Sequence, residues 1–163
     1  MAAAGGRALA PVDLHVTLCF LGAVAEPAIA QLRERAAGID AAAFELSFAR
    51  LELWREARIL AATVELVPGA GVELAAALAE AARAVGLKPE RRPWRPHMTL
   101  ARAVTPPRAA AAEAALGVAA RSLPRTLTAQ CFYLAQSQGL GAQDWSNAAA
   151  PRYATLASWP LRC

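Results

Sequence analysis

The sequence predicts an α+β fold: a duplicated, pseudo-twofold bilobal domain in which two antiparallel sheets flank a central cleft and the helices lie outside. Three observations carry this. His15-Val16-Thr17-Leu18 recurs as His97-Met98-Thr99-Leu100, around the only two histidines of the chain. Each copy leads into a proline-opened helical segment and then an alternating, strand-like segment. A length of 163 residues suits one compact domain, or two small lobes that share a cleft.

The elements follow from pattern and punctuation. Val12 to Phe20 alternates, with Val12, Leu14, Val16, Leu18 and Phe20 on a core side and Asp13, His15, Thr17 and Cys19 on a polar side, which predicts a strand ended by Gly22. Pro27 opens a helix that runs to Ala37, with Gly38 as its stop. Phe44–Ala49, Leu51–Arg55 and Arg58–Val67 read as strands of an antiparallel meander, the last two joined by a turn around Glu56. Residues 68–71 read as a loop, Val72–Val85 as an alanine-rich helix with Leu74 and Leu87 flanking its larger apolar residues, and Gly86 as its cap. A basic, proline-rich loop, residues 88–96, leads into a second His-x-Thr strand, His97–Val104. Thr105-Pro106-Pro107 opens a further helix to Ala120, and Arg125–Gln136 and Arg152–Trp159 close the chain as strands.

The two histidines lie 82 positions apart, which sets the repeat and gives one domain over 1–163 with halves of about 12–67 and 72–163. Only fourteen residues precede His15, too few for the strand and helix that precede His97. The first lobe is therefore expected to lack an N-terminal strand and helix, leaving an edge open to a strand-paired dimer.

Composition narrows the partners. Net charge is +4 and Lys88 is the only lysine, so the basicity is almost wholly arginine, whose bidentate fork suits phosphate. Three cysteines without close spacing argue against a disulfide framework and against a zinc site. No signal-peptide core and no uncharged run of membrane-spanning length is present, so the expectation is a cytoplasmic protein with no membrane partner.

The paired motifs carry the chemistry. Side chains two apart on a strand share a face, so each motif sets an imidazole beside a hydroxyl. With seven threonines in 163 residues, both histidines gain one at +2 by chance about once in five hundred sequences. Two symmetric His-Thr pairs do not form a nucleophile–base triad, and two histidines are too few to serve as both metal ligands and an acid–base pair. They suit displacement at phosphorus in which one imidazole deprotonates water and the other protonates the leaving alkoxide, while the threonines hold phosphate oxygens; no cofactor is required.

His15-Val16-Thr17-Leu18-Cys19-Phe20-Leu21-Gly22 resembles the first signature of the 2H phosphoesterase superfamily, and Arg95-Pro96-His97-Met98-Thr99-Leu100-Ala101-Arg102 the second. The resemblance extends from about residue 7 through the ending at Tyr153–Leu161 and is similar to RNA 2′,3′-cyclic phosphodiesterases, also called 2′–5′ RNA ligases. It implies hydrolysis of RNA ends or nucleotides bearing a 2′,3′-cyclic phosphate to 2′-phosphomonoesters. It further implies His15 as proton donor, His97 as proton acceptor, and Thr17, Thr99 and Arg102 as phosphate contacts. Strict alternation turns Arg102 away from His97 and Thr99, so a cleft role for it requires a bulge or the strand's end. Arg92, Trp94, Arg95 and Phe20 are candidate RNA contacts. The alternatives are an RNA- or nucleotide-binding module whose catalysis is weak or lost, and 2′–5′ RNA ligation.

Overall fold

The computed structural model describes residues 7–104, 126–138 and 152–163. The predicted helix from residue 105 to 120 and the loop 139–151 lie outside the described residues. A short β1 (Arg7–Ala8), a 3-10 turn (Pro11–Asp13), α1 (Glu26–Ala37), β2 (Phe44–Trp54), β3 (Ile59–Val64), α2 (Gly69–Ala84), β4 (His97–Arg102), β5 (Thr126–Ala129), β6 (Cys131–Ser137) and β7 (Tyr153–Pro160) follow in order. They make a five-stranded antiparallel sheet, β1-β4-β3-β2-β5, and a two-stranded one, β6-β7. The sequence halves do not each keep to one sheet: β4 lies between β3 of the first half and β1, a two-residue strand ahead of that half where the sequence predicts none.

The strand expected over residues 12–20 is not regular. Leu9 N–H donates to the Leu100 carbonyl, and the next pairing with β4 is a single bridge between Val16 and Met98. The chain thus spends seven residues where β4 spends two, and the surplus loops out through the 3-10 turn that begins at Pro11. The excursion inverts the predicted burial at both ends: Val12 and Phe20 are 65% and 74% exposed, whereas Asp13 is buried at 2%. Only in the middle does the alternation hold, with Val16 and Leu18 packed on the core.

A bulge also merges two predicted strands into one. Phe48 pairs with Val64 and Arg50 with Thr63, so Ala49 is the surplus residue in β2. The extra residue switches parity: Phe44, Leu46 and Phe48 face the core, and beyond the bulge Leu51 and Leu53 take over that face. Burial of Phe44, Leu46 and Phe48 contributes about 1.5–3 kcal/mol each. Conversely, the single strand expected over 125–136 divides at Gln130, whose carbonyl accepts from Leu161 N–H. Its first part joins β2 and its second part joins β7. The sheets are tied again where Ala43 N–H donates to Arg162 and Arg162 N–H to Ala41.

Helix α1 starts one residue before Pro27 and stops at Gly38, as its punctuation requires. Helix α2 starts earlier than its apolar pattern implies, at Gly69, so part of the expected 68–71 loop is its first turn. Its packed side is Leu74, Ala75 and Ala82, and Val72 is 43% exposed. Gly86 takes a left-handed φ of 82° beyond the helix. Strand β4 stops two residues short of Val104 because Ala103 turns out of the sheet at φ 56°, and Val104 N–H donates to the Arg58 carbonyl instead.

Gly71 is needed for space. A Cβ there would lie 2.5 Å from Trp94 Cζ3, and Trp94 Nε1–H is tied to the Thr17 carbonyl at 2.9 Å. Gly71→Ala is expected to destabilise the protein by about 1–3 kcal/mol through overpacking. Urea denaturation checks this; a variant as stable as wild type would mean that the indole moves aside freely.

Candidate active site

The bridge between Val16 and Met98 aligns the two motifs antiparallel. In that register His15 lies across from Thr99 and Thr17 across from His97. Val16, Leu18 and Met98 pack on the core, so alternation sets His15, Thr17, His97 and Thr99 on the opposite face, each imidazole beside one hydroxyl of its own motif and one of the other.

Arg102 rejoins them. Leu60 pairs with Ala101 but Ala61 with Thr99, so Leu100 is a surplus residue in β4. The parity change returns Arg102 to the face of His97 and Thr99. This is the bulge that a cleft position for Arg102 requires.

Each imidazole is held by the backbone two residues upstream. His15 Nδ1 lies 2.7 Å from the Asp13 carbonyl, and His97 Nδ1 lies 2.8 Å from the Arg95 carbonyl. A carbonyl only accepts, so Nδ1 carries the hydrogen in both rings and Nε2 is left for proton exchange with a ligand. Each ring also meets an aromatic partner. Tyr153, at the start of β7, contacts His15 edge to face at 4.5 Å, and Trp54, at the end of β2, lies 4.6 Å from His97. The site is therefore lined from both sheets.

Acid–arginine pairs stand behind both histidines. Asp13 accepts from the Arg152 backbone N–H at 2.7 Å and meets the Arg152 guanidinium at 3.5 Å. Glu52 accepts from Trp54 Nε1 at 2.8 Å, from Thr63 Oγ1 at 2.9 Å and from Arg95 at 2.6 Å. The Trp54 hydrogen bond foremost, with further help from Thr63 and Arg95, holds the Glu52 carboxyl below the usual glutamate range, so it remains an ionised acceptor.

Of the other predicted contacts, Thr99 is buried and Thr17 exposed. Trp94 is half-buried against α2 and Phe44, with its N–H already donated. Arg92 pairs with Glu90, and Arg95 with Glu52. Phe20 stands out into solvent. Burial pushes the Cys19 thiol up, which keeps it protonated and unreactive.

Sequence reasoning missed Glu52, Trp54, Arg152 and Tyr153 as neighbours of the histidines. Glu52 and Trp54 are two apart, a signal that they share a face, but the bulge at Ala49 concealed which face. Among the described residues, no three histidine, cysteine or carboxylate side chains come together as a metal ion would need, and no helix is long and apolar enough to cross a membrane.

Comparison with known proteins agrees with this architecture. A crystal structure of a phosphoesterase superposes with a TM-score of 0.77 at 26% identity, covering 100% of this chain and 84% of that one. E. coli LigT complexed with 3′-AMP superposes with a TM-score of 0.75 at 25% identity, covering 97% and 82% of the two chains. An RNA 2′,3′-cyclic phosphodiesterase of Bacillus subtilis (strain 168) is 36% identical over 102 residues, which is 56% of this chain. The chain spans about half, 52%, of the length of that relative. The family model of the 2′-5′ RNA ligase superfamily matches residues 2–139, and with most of the sequence so matched, the chain belongs to that superfamily.

Proposed function

We propose that the protein hydrolyses RNA 2′,3′-cyclic phosphate ends to 2′-phosphomonoesters by two-histidine acid–base catalysis without a metal ion. The observation that carries this reading is the matched anchoring of His15 and His97: both rings are fixed at Nδ1 by a backbone carbonyl, which leaves both Nε2 atoms to move protons. His97 Nε2 takes a proton from water as the water oxygen bonds to phosphorus. The bond from phosphorus to the 3′ oxygen breaks, and His15, entering as the imidazolium, gives its Nε2 proton to that oxygen. Proton exchange with solvent restores both rings.

Thr17 and Thr99 donate to the non-bridging oxygens, and Arg102 adds charge on the same face. The cleft lies between the sheets that supply Tyr153 and Trp54, in a single bilobal domain. Arg92, Arg95 and Phe20, all exposed, would meet the RNA beyond the phosphate. Joining of 2′–5′ ends would use the same site with a 5′-hydroxyl in place of the water: its oxygen bonds to phosphorus as the 3′ oxygen leaves, and bulk water favours hydrolysis.

The test is an RNA oligonucleotide ending in a 2′,3′-cyclic phosphate, incubated with purified protein and excess EDTA. The expected product is the 2′-monoester. A 3′-monoester would mean that the 2′ oxygen leaves and would overturn the proposed regiochemistry. Binding without turnover would make the chain a nucleotide-binding member of its family.

A further inference from the structure

We propose that Trp54, clamped by Glu52, is a positioning residue for His97; this rests on the reading of His97 as the proton acceptor. One hydrogen bond from Nδ1 to the Arg95 carbonyl fixes the edge of the imidazole but lets the ring swing about that contact. The Trp54 indole, 4.6 Å away and inclined by 52°, supplies the plane that stops the swing. The indole is itself held. Its N–H donates to Glu52 Oε2, the Arg95 guanidinium lies 4.6 Å from its ring centre, and Glu52 is fixed in turn by Thr63 and Arg95. Arg95 contributes at both ends, since its carbonyl holds His97 and its side chain covers Trp54. Trp54 is thereby committed to protein contacts with Arg95 and His97, which sets it apart from an aromatic that waits for a base.

The proposal separates from a substrate contact by kinetics. Loss of a positioning plane lowers kcat with little change in KM, whereas loss of a stacking partner raises KM. Trp54→Leu is expected to lower kcat about ten- to hundredfold, the scale set by an ångström of misplacement, with KM within about twofold. Trp54→Phe, which keeps a plane but lacks the N–H for Glu52, is expected to recover most of kcat and guards against a leucine variant that folds poorly.

NMR of the imidazoles gives a readout that needs no turnover. With two histidines in the chain, loss of one signal set in His97→Ala assigns both. In Trp54→Leu and Trp54→Phe the His97 ring signals should move and those of His15 should stay. A rise in KM at constant kcat, or unmoved His97 signals in both variants, would overturn the proposal. Absence of hydrolysis in the wild type would instead overturn the reading of the reaction, and the NMR comparison would still decide whether Trp54 holds His97.

Discussion

His15→Ala and His97→Ala are each expected to lower hydrolysis of a 2′,3′-cyclic phosphate end by about 10²–10⁴-fold, the usual contribution of a positioned acid or base. Neither ring belongs to the apolar core. Among the described residues each forms one hydrogen bond, to a backbone carbonyl, and losing it costs about 1 kcal/mol. Both variants should therefore stay folded, which makes the loss of rate interpretable. On the proposed reading the two histidines serve one displacement, so the double variant should be little worse than the poorer single one. Rate against pH should be bell-shaped, since one imidazole must begin protonated and the other neutral. Near wild-type turnover in either variant, or a rate that only climbs into the alkaline range, would sink the paired assignment.

The parts of this site that were legible in the sequence are local ones. Spacing within each His-x-Thr motif, the proline start of α1, and the alternation of Phe44, Leu46 and Phe48 are carried by neighbours a few positions apart. What the sequence concealed are changes of parity. Ala49 is surplus in β2 and Leu100 in β4, and neither residue type announces a bulge. Yet the first brings Glu52 and Trp54 to the histidine face, and the second returns Arg102 to it. The looped excursion around Pro11 is of the same kind: it preserves alternation at Val16 to Leu18 while exposing Val12. In each case the decision is made by pairing with a strand far along the chain, which a window of ten residues does not contain.

Asp13 shows how far such a distant decision reaches. Its alternation predicts a polar, site-facing residue; the excursion instead buries it, with its side chain 2% exposed against 16% for Arg152, 139 positions away. Asp13→Ala is expected to destabilise the protein by about 1–3 kcal/mol, because the Arg152 backbone N–H loses its buried acceptor. That is a sizeable share of the 5–15 kcal/mol typical of a folded domain. Asp13→Asn keeps an acceptor for the Arg152 backbone N–H but loses the ionic contact, so it should fall between Ala and wild type. The consequence extends to the chemistry, since Arg152 precedes Tyr153, whose ring meets His15, and the Asp13 carbonyl holds the same imidazole at Nδ1. Urea unfolding of the three proteins, read beside kcat, separates the effects. An alanine variant within about 1 kcal/mol of wild type would mean that the pair contributes no more than an exposed one, and that the loop carrying His15 is held by its other contacts, such as Val16, Leu18 and the Thr17–Trp94 hydrogen bond.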